Sequence, residues 1–368
     1  MKILVLWANE HHDNLGVAAL GVGTRSLALR AFGEGTEVKF HGTGDSSLPH
    51  NDGPINISRV KSLLLNALKP GSEFKSWIKG FDLIIDARGG DSFSDIYGIK
   101  RQIKTSALGW VARLMGIPVV LGPQTVGPFN SITGKLSAFL TLQLSSLTMA
   151  RDPYSMKYAQ KFLTKSSLLT TDVVFALESA RLEKKYDVLL NVSGLLWNEN
   201  PHVDYQKYRT MIHETIQGLI EQERSVTLLP HVLSDNPKQP EDHDLYPIPE
   251  ILATYPGLRV AIPQSLSQAR QIIGQANLVI AARMHACLNA LSMSTPTIPM
   301  AYSRKFAPLL EQVNWAHTVD IRDINSSAKD VLTLAEQNSV LEQESLRVRQ
   351  EADVLVSKAV QALKKFKK

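Results

Sequence analysis

Apolar and polar positions alternate along the chain in two patterns. Short apolar runs typical of buried β-strands are followed by longer runs in which apolar residues recur at helical spacing. The strand-like runs occupy residues 3–7, 38–40, 81–87, 117–121, 147–150, 187–192, 226–229, 258–262, 278–282 and 297–301. The helical runs occupy residues 17–32, 58–68, 99–115, 132–145, 205–222, 266–276 and 285–293, and residues 327–366 with one break near 337–339. This alternation predicts an α/β fold with parallel, doubly wound sheets.

The pattern also predicts two domains. A polar stretch at residues 178–186 separates the two series of alternating elements, and 368 residues exceed one ordinary core. We expect an N-terminal Rossmann-like domain at residues 1–182, a C-terminal Rossmann-like domain at 183–326, and a helical segment at 327–368.

Glycines and charged or polar residues cluster directly after several strands. They are Gly89, Gly90, Asp91 and Asp95, then Gln124 and Gly127, then Arg151 and Asp152. In open α/β sheets the ligand crevice lies at the carboxyl ends of the strands, so we expect these residues to bind substrate. Two consecutive glycines allow the backbone to approach a ligand closely. Asp91 or Asp95 would orient or deprotonate a sugar hydroxyl, although Asp95 fits equally well as a helix cap.

The stretch at residues 278–306 carries the strongest chemistry. It predicts a strand, a helix and a second strand, with Arg283 and His285 after the first strand and Tyr302 and Lys305 after the second. An arginine fork and an imidazole at the amino end of a helix form an anion site with a proton donor. A lone histidine is also often structural, and that alternative stays open here.

Composition narrows the function class. The net charge of +5 does not by itself imply nucleic acid, and the single cysteine, Cys287, excludes an internal disulfide and a cysteine-rich metal site. No metal is predicted, because the adjacent acidic and histidine residues at 11–13 and 242–244 are poorly spaced for one ion. No signal peptide or membrane-spanning run is apparent, which favours a cytoplasmic location.

Two segments have two possible interpretations each. The loop at residues 230–249 is interpreted as a lid or as a surface insertion. The basic carboxyl terminus is interpreted as a lipid contact or as a helix end in solvent.

With these motifs in order, the chain resembles the polysaccharide pyruvyl transferase family. The resemblance rests on residues 14–16, 89–95, 124–129, 151–155, 172–175, 283–285 and 302–305. It implies a GT-B-like architecture: an N-terminal domain on the acceptor side and a C-terminal domain on the donor side face across a cleft, with the final helix packing back on the first domain. One departure is Val17, where members often carry aspartate.

The resemblance also implies a chemistry. The donor would be phosphoenolpyruvate, used as a substrate with no cofactor, and the acceptor a saccharide or a lipid-linked oligosaccharide at the inner face of the membrane. His285 matches the general acid, and Arg283 and Arg151 match the arginines that grip the donor. Two alternatives remain, a GT-B glycosyltransferase that uses a nucleotide sugar and a non-catalytic saccharide-binding relative.

Overall fold

The chain forms two compact units, each containing one parallel sheet. The computed structural model describes residues 1–42, 60–162, 166–233, 242–323 and 326–367. Unit 1 comprises Met1–His12, Leu20–Leu177 and Asp353–Lys368, and unit 2 comprises Asp13–Ala19 and Glu178–Ala352. The start of the predicted helix at residues 58–68 and the middle of the predicted 230–249 loop lie outside the described residues.

Unit 1 contains a six-stranded sheet in the order β2-β1-β3-β4-β5-β6, in which all neighbours pair in parallel. Its strands are β1 Lys2–Leu6, β2 Glu37–His41, β3 Leu83–Asp86, β4 Val119–Gln124, β5 Leu147–Ala150 and β6 Ser167–Leu169. Its helices are α1 Leu15–Phe32, which starts in unit 2, α2 Val60–Leu68, α3 Glu73–Lys79, α4 Ile99–Leu114, α5 Ile132–Leu144 and α6 Pro153–Gln160.

Unit 2 contains a second six-stranded parallel sheet, in the order β12-β11-β10-β7-β8-β9. Its strands are β7 Tyr186–Asn191, β8 Val226–Leu228, β9 Arg259–Val260, β10 Ala276–Ala281, β11 Thr297–Ala301 and β12 Val319–Asp320. The helices that follow are α7 Tyr205–Glu221, α8 Ile248–Thr254, α9 Leu266–Gly274, α10 Met284–Ser292, α11 Phe306–Glu311, α12 Ala328–Ala335 and α13 Asn338–Lys364.

The central strands are buried along almost their whole length. Every residue of β3, β4 and β11 is buried. Every residue of β10 except Asn277 is buried as well. Helices cover both faces of such a parallel sheet, so these strands read as continuous apolar runs. The only cysteine, Cys287, lies in this core with no exposed surface, and its thiol donates to the Ala281 carbonyl at 3.4 Å.

The predicted fold class is confirmed, since both sheets are parallel and flanked by helices. The predicted break in the C-terminal helical segment is also present, because α12 ends at Ala335 and α13 begins at Asn338. The pattern missed short elements such as α3, β6, α8 and β12, each of which has at most seven residues.

Helix α1 is long and apolar enough, by length and composition alone, to cross a membrane, whereas the sequence analysis recognised no such run. Of its 18 residues, 61% are buried in the protein. Core helices pass the same test of length and composition, and α1 packs as one: Gly23, for example, lies against Val173.

Candidate functional site

The candidate site of unit 2 lies where the strand order of its sheet reverses. From β7 the chain adds β8 and β9 on one side, and it then returns to place β10, β11 and β12 on the other. Strands β7 and β10 are neighbours, with Asn191 paired with Ala281 at their carboxyl ends. A reversal of this kind opens a crevice at the strand ends, which is the usual ligand position in open α/β sheets.

Arg283 lies at this reversal and is almost fully buried. Its backbone N–H donates to Oδ1 of Asn191 at 3.0 Å, which ties the exit of β10 to the end of β7. Its Nε donates to Asp244 at 2.9 Å and its Nη2 to Asp242 at 2.8 Å. Burial alone would lower the pKa of Arg283, but the two carboxylates outweigh it and raise that pKa above its ordinary value. The remaining nitrogen, Nη1, donates no hydrogen bond to the described residues.

Asp244 organises the surrounding backbone. Besides Arg283, it accepts hydrogen bonds from the side chain of Asn191 at 2.8 Å and from the backbone of His231 at 2.9 Å. Backbone donors at Val232 and Gly194 complete its shell at 3.1 and 3.2 Å. One buried carboxylate therefore connects the exits of β7, β8 and β10. Sequence reasoning weighed Asp242 and Asp244 only as metal ligands, and their spacing gave no indication that they pair with Arg283.

His285 lies in the first turn of α10 and is half-buried. Gly16, which belongs to the same unit, packs directly against it: a Cβ added at Gly16 would lie 3.0 Å from both Cβ and Nδ1 of His285. Asn14 shapes this contact, because its Oδ1 accepts from the Gly16 N–H at 3.0 Å. The 14–16 motif thus forms one wall of the histidine's surroundings.

A second histidine, His231, lies behind the first. It is buried, and Asn289 on α10 approaches its Nε2 at 3.4 Å. The pKa of His231 is lowered to about 3, chiefly by burial and also by the charges of His285 and Arg283, although the Asp244 carboxylate raises it. His231 is therefore neutral at physiological pH. Sequence reasoning missed it, because it follows β8 without any flanking motif.

Tyr302 and Lys305 follow β11, as predicted. The ring of Tyr302 lies 5.4 Å from that of His202 and 5.6 Å from that of Phe306. Partial burial and the charge of Lys305 lower the pKa of His202. Tyr302 also acts electrostatically on Arg283. Arg283, His285, Tyr302 and Lys305 all lie at the carboxyl ends of neighbouring strands in unit 2.

Arg151 lies in unit 1, at the carboxyl end of β5, with only 1% of its surface exposed. Its Nη1 donates to Asp172 at 2.7 Å and its Nε to Thr125 at 3.0 Å. Gly90 is packed against it, since a Cβ there would lie 2.7 Å from Nη1 of Arg151. These contacts connect the exits of β3, β4 and β5. The predicted contact of Arg151 with the donor stays a prediction.

The aspartates predicted in unit 1 have structural partners. Asp95 accepts from the backbone of Asn130 and Ser131 at 2.7 to 2.9 Å, just before α5. Burial would raise the pKa of Asp95, but these hydrogen bonds lower it. Asp152 caps α6 by accepting from the backbone of Ser155 at 2.8 Å. Asp91 accepts from the hydroxyl of Tyr97 at 2.9 Å. Their roles toward substrate stay predictions.

The remaining predicted residues of unit 1 shape its sheet edge. Gly89 and Gly127 have positive φ angles of 57° and 79°, and a Cβ at Gly127 would lie 2.8 Å from the Tyr158 ring. Gln124 is buried and donates to the Asp86 carbonyl at 2.9 Å. The pattern did not single out Arg88, whose Nε donates to Asp86 at 2.8 Å in a buried pair.

Within the part of the chain that the structure describes, no group of three or more histidine, cysteine, aspartate or glutamate side chains could hold a metal ion. Asp242 and Asp244, which were considered as metal ligands in the sequence analysis, instead pair with the Arg283 guanidinium.

Comparison with known families identifies the family of this chain. The family model described as polysaccharide pyruvyl transferase matches residues 34–304. The chain therefore belongs to the polysaccharide pyruvyl transferase family, and it is a transferase. The match includes the motifs at Arg151, Arg283 and His285 and ends one residue before Lys305. No curated protein sequence matches the chain.

Solved structures show the fold. UDP-GlcNAc 2-epimerase from Neisseria meningitidis, bound to UDP-GlcNAc, has a TM-score of 0.57 at 11% identity, over 98% of this chain and all of that one. MurG from Acinetobacter baumannii has a TM-score of 0.52 at 13% identity, over 99% of each chain. Sucrose-phosphate synthase from Thermosynechococcus elongatus also has a TM-score of 0.52 at 13% identity, over 98% of this chain and 97% of that one. The chain thus has a GT-B-like fold of two Rossmann-type units.

Proposed function

We propose that the protein transfers the enolpyruvyl unit of phosphoenolpyruvate to a saccharide and closes it into a pyruvate ketal, with His285 as the general acid. The observation that carries this proposal is the position of His285. It lies in the first turn of α10, two residues after the buried Arg283 and at the strand-order reversal of unit 2. Membership of the polysaccharide pyruvyl transferase family supports the same reading.

The reaction is balanced by two hydroxyl groups of the acceptor. Protonated His285 gives its proton to the methylene carbon of the donor, so that C2 becomes electrophilic and one hydroxyl oxygen bonds to it. The bond from C2 to the phosphate oxygen then breaks, and the second hydroxyl oxygen bonds to C2. The two hydroxyl protons return to the imidazole and to the phosphate released. A histidine suits this role because its ordinary pKa lies near neutrality.

The donor's negative charge would be held by several groups of unit 2. The amino end of α10 offers backbone N–H groups, Lys305 adds a positive charge, and Nη1 of Arg283 is directed to no described partner. Asp244 is buried and keeps its pair with Arg283. Asp242 is 26% exposed at its side chain, so a donor oxyanion would replace this carboxylate at Nη2.

Arg151 receives a supporting role in this proposal. Its guanidinium already pairs with Asp172 inside unit 1, and breaking a buried pair costs about 3–5 kcal/mol. A direct grip on the donor would have to supply that energy. We therefore assign Arg151 to holding the sheet edge that carries Gly90 and Thr125, on the acceptor side of the proposal.

The test measures phosphate release from phosphoenolpyruvate with a panel of galactose-, mannose- and glucosamine-containing acceptors. We expect release with at least one acceptor and its loss in His285→Ala. The matched control is His213→Ala, a half-buried histidine on α7 that contacts Trp197 and Tyr255. Near wild-type release in His285→Ala would overturn the assignment of the acid.

The alternative function is tested by calorimetry with the same protein. The solved relatives include an epimerase bound to UDP-GlcNAc, so a nucleotide sugar is the competing donor. Binding of UDP-GlcNAc together with no binding of phosphoenolpyruvate would replace the proposal with a GT-B glycosyltransferase. Acceptor binding that His285→Ala leaves unchanged, without turnover of any donor, would indicate a non-catalytic saccharide-binding protein. The proposal requires no cofactor and keeps the cytoplasmic location expected from the sequence.

A further inference from the structure

Helix α5 of unit 1 has an inverted pattern of burial. It buries its small and hydroxyl-bearing residues, including Gly134, Ser137, Ala138 and Thr141. Leu142 is buried as well, but four other large apolar side chains are exposed: Ile132 is 82% exposed, Leu136 61%, Phe139 47% and Leu140 42%. These four residues recur at positions i, i+4, i+7 and i+8, so they share one side of the helix, called here the α5 face. An ordinary surface helix places large apolar residues inward.

The inward side of α5 is fixed by specific contacts, so the exposure is built into the packing. Gln102 on α4 donates to the Gly134 carbonyl at 2.9 Å, and Trp110 on α4 donates to the Thr141 hydroxyl at 3.0 Å. The two bonds lie about two turns apart on both helices, which therefore run side by side in the same direction. Rotating α5 to bury Leu136 and Leu140 would break both bonds.

The stretch of sequence that contains α5 and its neighbouring helices α4 and α6 is strongly basic. Residues 96–162, which contain α4, α5 and α6, carry eight basic side chains and one acidic one. Arg151 and the acidic residue, Asp152, are both buried. The seven basic residues left are exposed or half-buried: Lys100, Arg101, Lys104, Arg113, Lys135, Lys157 and Lys161. The carboxylate of Asp95 lies at the amino end of α5, where the backbone N–H groups of Asn130 and Ser131 bind it.

We propose that the α5 face docks on the surface of an anionic lipid bilayer. A helix with exposed leucine and phenylalanine on one side and lysines around it is the form that binds in the plane of a bilayer interface. The apolar side chains would enter the boundary of the acyl chains while the lysines face anionic headgroups. A second copy of the same face fits less well, because a twofold interface would bring these like charges together.

The experiment is sedimentation of the full-length protein with vesicles, compared with a variant that leaves the core and the catalytic residues untouched. The vesicles are phosphatidylcholine alone or an equal mixture of phosphatidylglycerol and phosphatidylcholine. The variant is the pair Leu136→Gln and Leu140→Gln, because glutamine and leucine have similar helix propensities. The control is Leu346→Gln on α13, a leucine that is 51% exposed in unit 2.

We expect wild type and the control to bind the mixed vesicles and not the neutral ones, with weaker binding as salt is added. The partition coefficient of the α5 variant should fall by about tenfold or more, since each leucine loses much of its transfer energy. Unchanged thermal unfolding would show that the variant is folded.

Other outcomes overturn the proposal. Equal binding to both vesicle types, or no binding by wild type, would remove the anionic bilayer as the partner. A dimer that the α5 variant dissociates would assign the face to a second copy. Binding lost on changing Lys364, Lys365 and Lys367 to glutamine, but kept in the α5 variant, would assign the contact to the carboxyl terminus. Phosphate release with a soluble acceptor tests the catalytic proposal separately.

Discussion

The Nε of Arg283 lies 2.9 Å from Oδ1 of Asp244, in an ion pair from which water is almost excluded. Asp244 has no exposed side-chain surface, and Arg283 keeps 10% of its own. The pair holds the exit of β10 against the segment after β8, where His231 and Val232 donate to the same carboxylate. The geometry around His285 therefore depends on a residue that carries no chemistry of its own.

Replacing Asp244 with asparagine should destabilise the protein strongly. The change leaves the Arg283 charge buried beside Asp242 alone, and breaking a buried pair costs about 3–5 kcal/mol. Urea unfolding measures the loss. The control is Asp242→Asn, which affects a 26% exposed carboxylate and should cost about 1 kcal/mol or less. Equal effects of the two changes would contradict the central role given to Asp244.

A methyl group at Gly16 should impair catalysis through His285. The added Cβ would lie 3.0 Å from the Cβ and Nδ1 of His285, so the imidazole has to shift by a few tenths of an ångström. Misplacing a catalytic group by up to 1 Å costs up to about a hundredfold in rate. We expect Gly16→Ala to lower phosphate release by about tenfold or more, with little change in the unfolding midpoint. Gly35→Ala, where the added atom meets open space, should leave the rate unchanged.

The packing of Gly90 against Arg151 can be separated from backbone strain. Gly90 and Gly116 have similar φ angles, 79° and 88°, so alanine at either position costs about 1–2 kcal/mol of strain. Only at Gly90 does the new Cβ collide, at 2.7 Å from Arg151 and 3.0 Å from Leu20. Gly90→Ala should therefore lower the free energy of unfolding by about 1–3 kcal/mol more than Gly116→Ala does. Equal losses would mean that the Arg151 guanidinium moves aside freely.

Lowering the pH should reduce the free energy of unfolding, because His231 is held neutral in the folded protein. Its pKa is about 3 in the folded state against an ordinary value of 6.5, so between these values the unfolded chain binds a proton that the folded chain does not. Stability is therefore full above pH 6.5 and falls as the pH drops toward 3. From about pH 7.5 to about pH 5, wild type should lose about 2 kcal/mol more than His231→Gln. Parallel slopes for wild type and His231→Gln would refute the assignment.

The fold could be predicted because its signal is local. Buried parallel strands read as apolar runs, and β3 and β10 were recognised for that reason. The alternation also shows which residues follow each strand directly, so the positions of Arg283 and His285 at strand exits were predictable. The two-residue strand β9 lies within the predicted run at 258–262, whereas β12, which also has two residues, was missed because so short an element carries no period to detect.

The partners of the site residues could not be predicted, because they are distant along the chain. Asp244 lies 39 residues from Arg283, and Asp172 lies 21 residues from Arg151. Asp95, weighed as a cap for the helix that follows it, binds the backbone 35 and 36 residues further on. His231 had no motif around it. Such pairings depend on which strands become neighbours, and a single sequence does not record that.

The Cys287 thiol can report opening of the helix that contains it. Cys287 belongs to the same helix as His285, has no accessible surface, and burial raises its pKa to about 12. A thiol in this state reacts only when the helix leaves its place. The rate of alkylation by a maleimide therefore reports how often α10 opens in the folded protein. A donor that binds at the amino end of α10, as proposed, should slow this alkylation.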